Sequence, residues 1–170
     1  PGTGCGGEGT DSIDTARLAF GDGGNDTLES FNNTVVAEMG TGDDVVNRNL
    51  RSRDDVFTTI TLGEGQDTIV GRDGVGTNTA YSDRFVVTDF QAGAGGDVFD
   101  FTGTLFNGVE GFDGVTNPFT RFVRLVQDGG DTLFQVDVDG VSGPEGFVTA
   151  VRFENTEVAD FTFQNFIPGF

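Results

Sequence analysis

The chain has 170 residues, enough for one domain with a hydrophobic core, and it carries nine cationic and 28 acidic side chains, a formal net charge of −19. This charge argues against binding to nucleic acid or to an anionic membrane surface. With no histidine and Cys5 as its single cysteine, the sequence has almost no ligands for zinc and no internal disulfide. No apolar run is long enough to span a membrane, and the absence of an initial Met suggests a piece of a longer protein.

An acidic chain of this kind could be disordered. The hydrophobic content of 35%, with 18 phenylalanines, argues against disorder. Repulsion among the carboxylates still opposes compaction unless cations intervene. The composition therefore predicts a folded domain that needs counterions.

A nine-residue pattern, G-G-x-G-x-D-x-U-x with U a large aliphatic or aromatic residue, recurs along the chain. The five matching stretches are GGEGTDSID (6–14), GDGGNDTLE (21–29), MGTGDDVVN (39–47), LGEGQDTIV (62–70) and AGAGGDVFD (92–100). Degenerate echoes keep Asp55 with Phe57 and Asp83 with Phe85, and Asn78 replaces the aspartate in a third. A single copy could be a hairpin turn, but five copies with the same apolar position are hard to obtain from composition alone.

The residue types in this pattern suit a hard cation. Alternating glycines let the backbone curl so that carbonyl oxygens point inward, in a geometry that a Cβ would obstruct. The aspartate adds a carboxylate, and such an oxygen cage suits Ca²⁺ better than Mg²⁺, which demands strict octahedral geometry. The x-U-x that follows is read as a three-residue strand. We therefore expect a parallel β-solenoid with two nine-residue units in each lap.

These stretches resemble the repeat-in-toxin (RTX) nonapeptides of haemolysin-type calcium-binding proteins. The resemblance implies a right-handed parallel β-roll, several Ca²⁺ ions between stacked turns, and type I secretion from a Gram-negative bacterium. It assigns the metal-binding positions to Asp11, Asp26, Asp44, Asp67, Asp97, Gly7, Gly9, Gly24, Gly40, Gly42, Gly63, Gly65, Gly93 and Gly95. The matching inward positions are Ile13, Leu28, Val46, Ile69 and Phe99.

The repeat is irregular, since only Asp26 and Asp44 keep the 18-residue step of a regular roll. The other intervals require insertions or skipped half-turns. We expect a short, irregular roll with a few ions, the best site lying between the turns of Asp26 and Asp44.

Near residue 83 the repeats give way to longer alternating runs, and 15 of the 18 phenylalanines lie from there to the end. Strands are predicted at 83–90, 96–101, 147–153 and 161–166, and a hairpin at 121–140 with its turn at DGGD. No convincing helix is present. The predicted fold is all-β: a calcium-binding roll over 1–82, capped by an antiparallel β region over 83–170.

The stretches DRFVVTDFQAGAGGDVFDFTG, VQDGGDTLFQVDVDG and ADFTFQNF also resemble the C-terminal part of RTX proteins. This resemblance implies that the tail carries an uncleaved type I export signal. A plain Phe-rich β core without any export role fits the same residues.

Catalysis is not expected in this chain. The serines have no histidine to activate them, and adjacent acidic pairs such as Asp43 and Asp44 point to opposite faces of a strand. An EF-hand at 137–140 lacks its twelfth acidic ligand, and the threonine-rich stretches 57–61 and 77–79 are weak candidates for an ice-binding face.

Two functions remain. One is a non-catalytic extracellular module that folds on Ca²⁺ after type I secretion, at the end of an adhesin, surface-layer or matrix protein. The alternative is the accessory module of a secreted metalloprotease, lipase or polysaccharide-modifying enzyme whose catalytic domain lies upstream. The expected partners are calcium, the upstream domains and the type I secretion machinery, with surface polysaccharide or self-assembly left open.

Overall fold

The structure is a computed structural model that describes residues 2–14, 17–30, 36–49, 58–72, 85–102, 106, 109–137, 139–140 and 146–169. Over these residues the chain is all-β, with no α-helix and three short 3₁₀ turns, at Pro118–Thr120, Val158–Asp160 and Phe163–Asn165. The predicted fold class is confirmed. The described part contains no helix with the length and apolar character needed to cross a bilayer.

Ten short strands form the roll in five laps, each lap made of an odd-numbered strand, a turn and an even-numbered strand. In chain order they are β1 (Thr3–Glu8), β2 (Ser12–Asp14), β3 (Leu18–Gly23), β4 (Thr27–Ser30), β5 (Val36–Thr41), β6 (Val45–Asn49), β7 (Thr58–Glu64), β8 (Thr68–Arg72), β9 (Phe85–Val87) and β10 (Val98–Asp100). The cap adds β11 (Val123–Asp128), β12 (Asp131–Asp137), β13 (Phe147–Phe153) and β14 (Phe166–Ile167).

Two sheets result from this winding. The odd strands of the roll pair in parallel and continue into the cap, in the order β1-β3-β5-β7-β9-β13-β12-β11. The even strands form the second sheet, in the order β14-β10-β8-β6-β4-β2. In both sheets, strands that precede residue 83 pair directly with strands that follow it. The roll and the cap therefore share one hydrophobic core. The domain boundary between 1–82 and 83–170 stays a prediction.

Inward side chains stack in rows along the roll, because strands of successive laps pair in register. Across the even sheet the row is Ile13, Leu28, Val46, Ile69, Phe99 and Phe166, all of them buried. Across the odd sheet the row is Ala19, Ala37, Ile60, Val87 and Phe153, also buried. The five predicted inward positions are therefore buried, and both rows end in phenylalanine at the cap.

The cap is a three-stranded antiparallel sheet over a cluster of phenylalanine rings. Its hairpin turns at Gly129 and Gly130, as the DGGD pattern predicts, and β13 pairs in parallel with β9 of the roll. The ring of Phe134 packs edge-on against Phe99 at 4.9 Å and stacks on Phe166 at 5.9 Å. The contact between Phe134 and Phe99 fastens the cap to the last lap.

Two sequence predictions about the architecture need correction. Within the described residues each lap holds one nine-residue motif, not the two expected, and hydrogen-bonded motif aspartates of successive laps lie 15, 18, 23 and 30 residues apart. Most of this variation falls in the connectors from even to odd strands, at 15–17, 31–35, 50–57 and 73–84. The strand predicted at 161–166 is instead a 3₁₀ turn followed by the two residues of β14.

The laps stack so closely that certain glycines admit no side chain. Gly40 has φ +105°, and a Cβ there would overlap the carbonyl oxygen of Asp22 in the preceding lap. Gly7 occupies the same motif position with φ +104°, but a Cβ there would meet nothing within 4 Å. The two positions therefore share backbone strain and differ in packing against a neighbouring lap.

We predict that Gly40→Ala destabilises the fold more than Gly7→Ala. Left-handed strain should cost about 1–2 kcal/mol at either site. Forcing the laps apart at Gly40 should cost about 1–3 kcal/mol more. Chemical denaturation of both variants, under one set of solution conditions, measures the difference. Equal losses would mean that the laps are not packed this tightly.

Candidate metal centre

All five motif turns lie on one side of the roll, because each connects an odd strand to the even strand of the same lap. The pairing of successive laps then brings the motif aspartates into one column. In the order of the laps its members are Asp11, Asp26, Asp44, Asp67 and Asp97. The structure therefore brings together five carboxylates that are far apart in the sequence.

Hydrogen bonds hold this column in register. In each of the first four laps the backbone amide of the motif aspartate donates to Oδ1 of the aspartate in the next lap. The bond from Asp11 to Asp26 is 2.8 Å long and the bond from Asp26 to Asp44 is 2.7 Å. The bonds from Asp44 to Asp67 and from Asp67 to Asp97 are 2.8 Å and 3.0 Å. Each accepting carboxylate thus uses one oxygen to fix the spacing of the laps.

The other carboxylate oxygen is unpaired in three of the five. Asp26, Asp44 and Asp67 are at most 1% exposed, and Oδ2 of each is buried without a hydrogen-bond partner. A buried carboxylate oxygen without a donor or a cation is costly. The protein therefore holds three buried anionic oxygens, one in each of the middle laps, that a positive charge would stabilise.

Backbone oxygen lies beside these carboxylates. At Gly21 a Cβ would stand 2.7 Å from Asp26 Oδ2 and would overlap the carbonyl oxygen of Met39. One lap earlier, a Cβ at Gly6 would stand 2.9 Å from the Gly21 carbonyl oxygen and 3.3 Å from Asp11 Oδ2. In both laps a glycine keeps open a space on which a carboxylate and a carbonyl converge.

The predicted turn glycines all adopt the left-handed conformation. Their φ values lie between 79° and 135°, for Gly7, Gly9, Gly24, Gly40, Gly42, Gly63, Gly65, Gly93 and Gly95. Asp22 takes the corresponding place in the second lap with φ +71°, a conformation that aspartate tolerates better than most residues. The glycine pattern therefore reports backbone geometry correctly in every motif.

Burial raises the pKa of three of the column aspartates. Desolvation, reinforced by the charges of Asp26 and Asp43, raises the pKa of Asp44 to about 6, against the lowering effect of the Asp26 amide bond. Desolvation also raises the pKa of Asp67 to about 7, with the charges of Asp97, Asp44 and Asp89 adding to it. The pKa of Asp97 is raised as well, again chiefly by burial. These carboxylates are unstable as bare anions, and a neighbouring cation would stabilise their charged form.

The donor set decides which ion fits. No group of three or more His, Cys, Asp or Glu side chains within the described ranges converges closely enough to hold a metal by itself. An ion in this column would need backbone carbonyl oxygens in addition to one or two carboxylates. An all-oxygen shell of this flexible kind fits Ca²⁺ and does not suit zinc.

The fifth motif differs from the other four. Both oxygens of Asp97 are occupied, Oδ1 by the Asp67 amide and Oδ2 by the Gln91 amide at 2.8 Å. Gly93 and Gly95 do not press against the preceding lap, since a Cβ at Gly95 would meet nothing within 4 Å. The structure thus places Asp97 in the column but separates Gly93 and Gly95 from the glycine stack of the other turns.

Some contributing residues were missed by the sequence reasoning. In the three middle laps the residue before the motif aspartate forms a second ladder: Asp43 donates its amide to Asn25 Oδ1 at 3.0 Å, and Gln66 donates its amide to Asp43 Oδ1 at 2.9 Å. Their constant position, directly before the motif aspartate, could have identified them from the sequence. Asp89 accepts the amides of Leu62 and Gly63 at 2.8 and 2.9 Å from outside the repeat, and no sequence signal marks it. The degenerate echoes at Asp55, Phe57, Asn78 and Asp83 lie outside the described residues.

We predict that the calcium-free fold becomes more stable as the pH falls from 8 to 5. Because the folded-state pKa values of Asp44 and Asp67 are raised to about 6 and about 7, the folded chain binds protons more tightly than the unfolded chain. This stabilisation is complete below the unfolded pKa and is lost as the pH rises through the folded values. Circular dichroism of protein freed of calcium on a chelating resin measures the fraction of β-structure at each pH.

Lower net charge in acid also relieves repulsion across the whole chain, and a variant separates the two effects. In the double variant Asp44→Asn, Asp67→Asn the two buried titrations are absent, so the gain of β-structure with falling pH should be smaller. An unchanged pH dependence would assign the effect to the remaining carboxylates, Asp97 included.

No protein-family model and no curated protein matches the chain. Among solved structures, it is similar to the solution structure of the AlgE6R3 subunit from the Azotobacter vinelandii mannuronan C5-epimerase. The two chains share 19% identity with a TM-score of 0.44, over 96% of this chain and 80% of that one. The fold assignment rests on the strand order and register described above.

Proposed function

We propose that this chain is a non-catalytic calcium-binding β-roll of the RTX type, which folds when it meets Ca²⁺ outside the cell. The observation that carries the proposal is the row of buried, unpartnered Oδ2 atoms of Asp26, Asp44 and Asp67. Each lies in a turn whose glycines adopt positive φ, so backbone carbonyls can complete an oxygen shell. We expect the ions to bind in the three middle laps, which contain these oxygens.

Charge and backbone entropy support coupling between calcium binding and folding. A net charge of −19 and 28 glycines both favour the unfolded chain when no cation is present. Binding to a site that exists only in the folded chain supplies folding free energy directly. Extracellular calcium modules bind in the range of about 10⁻⁴–10⁻³ M, far above cytosolic calcium, so such a chain stays unfolded until it is released.

The setting we propose is a larger secreted protein of a Gram-negative bacterium, exported by a type I system and retained outside the cell or on its surface. The module serves either as the terminal part of an adhesin, surface-layer or matrix protein, or as the accessory of a secreted enzyme. The sequence of adjoining domains in the full-length protein distinguishes the two. An export test should not delete 161–170, because Asn165 and Phe166 are buried parts of the fold.

The direct test is a calcium titration followed by circular dichroism. Calcium-free protein should show a largely disordered spectrum, and β-structure should appear at millimolar Ca²⁺ because the column of carboxylates is then neutralised. Mg²⁺ at the same concentration is the control and should produce much less β-structure. A β-rich spectrum that a strong chelator leaves unchanged would contradict calcium-driven folding.

A matched pair of variants tests the site itself. Asp44→Asn and Glu38→Gln each remove one negative charge from the third lap, but Asp44 is buried in the column whereas Glu38 is exposed on β5. We predict that Asp44→Asn weakens calcium affinity at least about tenfold, the value of one lost charge-assisted contact of about 1.4 kcal/mol. Glu38→Gln should change affinity little.

The two variants should also differ in the stability of the calcium-free fold. The asparagine side chain of the Asp44→Asn variant retains an oxygen that can accept the Asp26 amide, and it carries no buried charge. This substitution should therefore stabilise the calcium-free fold while weakening calcium binding. A substitution that weakens calcium binding and stabilises the calcium-free fold is the result expected for a metal ligand. If Asp44→Asn and Glu38→Gln shift the calcium midpoint equally, the metal lies elsewhere.

A further inference from the structure

The turn of the fifth lap, residues 91–97, is closed by a side-chain amide from the far end of the chain. Asn165 is fully buried, and its Nδ2 donates to the carbonyl oxygens of Gly93 at 3.0 Å and Asp97 at 2.9 Å. Its Oδ1 accepts the amide of Gly93 at 2.9 Å. One neutral side chain therefore occupies two carbonyls of the turn.

Other donors occupy three further oxygens between the fourth and fifth laps. Gln91 Nε2 donates to the Gly63 carbonyl at 3.1 Å, and Gln66 Nε2 donates to the Gly96 carbonyl at 2.9 Å. Asp97 Oδ2, whose counterparts in the three middle laps lack partners, accepts the Gln91 amide. N–H donors thus satisfy the oxygens here that a cation would have to use.

The position of Asn165 is itself fixed. Its Oδ1 also accepts the Thr162 amide at 2.9 Å, which caps the 3₁₀ turn Phe163–Asn165. The next residue, Phe166, is buried and pairs with Phe99 in the even sheet. The amide is therefore delivered by an anchored segment rather than by a loose side chain.

We propose that the amide of Asn165 replaces a cation in the fifth turn, so that this turn binds no calcium although its sequence matches the motif. The inference rests on the proposed function, because it says where the calcium column ends. A carbonyl that accepts an N–H bond offers less to an ion, and Ca²⁺ requires six to eight oxygens. The fifth turn is an end cap that is complete without metal.

The test compares Asp67→Asn with Asp97→Asn in the full 170-residue chain. Both substitutions change the same motif position in adjacent laps, and only Asp67 has an unpartnered oxygen. Ions bound at saturating Ca²⁺ are counted by native mass spectrometry. Asp67→Asn should bind one ion fewer than the wild type, and Asp97→Asn should bind the wild-type number. Loss of an ion in Asp97→Asn overturns the inference.

A second pair keeps the question open to test if Asp97→Asn does not fold. Asn165→Ala removes the donor, and Gln164→Ala is its control, an exposed neighbour in the same 3₁₀ turn. Asn165→Ala should lower the thermal midpoint by about 5 °C, from the loss of buried hydrogen bonds, and should keep the wild-type number of ions. A midpoint equal to that of Gln164→Ala, or a lost ion, overturns the inference.

Failure of the proposed function looks different. If the wild-type chain binds no Ca²⁺ at all, calcium-driven folding is wrong, and closure of the fifth turn is then judged by the midpoint of Asn165→Ala alone. If the wild type binds Ca²⁺ and Asp67→Asn and Asp97→Asn each lose one ion, the function stands and the end cap does not.

Discussion

The hydrogen bond from the backbone amide of one motif aspartate to the carboxylate of the next sets the structure of the roll. It repeats four times, at 2.7 to 3.0 Å, and fixes both the spacing and the register of the laps. Because one carboxylate oxygen is committed to this bond, the other is free to face inward. The same residue therefore builds the solenoid and provides its negative charge, which ties the stability of the fold to its demand for cations.

The need for a cation differs from lap to lap along the roll. In the three middle laps a carboxylate oxygen is buried without a partner, and the charge of neighbouring aspartates adds to the cost of ionising Asp44 and Asp67. At the capped end, amide donors and a dense cluster of phenylalanine rings satisfy the last lap by ordinary protein contacts. The last lap is thus stabilised by packing and hydrogen bonds, whereas the three middle laps need a cation to stabilise their carboxylates.

Much of this could be predicted from the sequence, because the motif encodes local backbone geometry. The positive φ of Gly24 and Gly42, the burial of Leu28 and Val46, and the hairpin at Gly129 all follow from short-range pattern. The sequence left open whether the longer intervals between motif aspartates hold insertions or skipped half-turns, because the pairing between laps does not depend on connector length. The roles of Asp89 and Asn165 were also beyond reach, because each depends on a contact between segments that are distant in the sequence, 72 residues apart for Asn165 and Gly93.

The connectors from even to odd strands have a consequence of their own. They lengthen from 15–17 to 73–84 while the motif aspartates of every lap stay in hydrogen-bonded register on the other side. The entropic cost of closing a loop grows only slowly with its length, so added residues there cost little. The pairing of successive laps is thus compatible with connectors of very different length. The strand ends that flank successive connectors lie at the spacing of neighbouring strands, about 4.8 Å, so the length of a connector can change without altering the pairing of the laps.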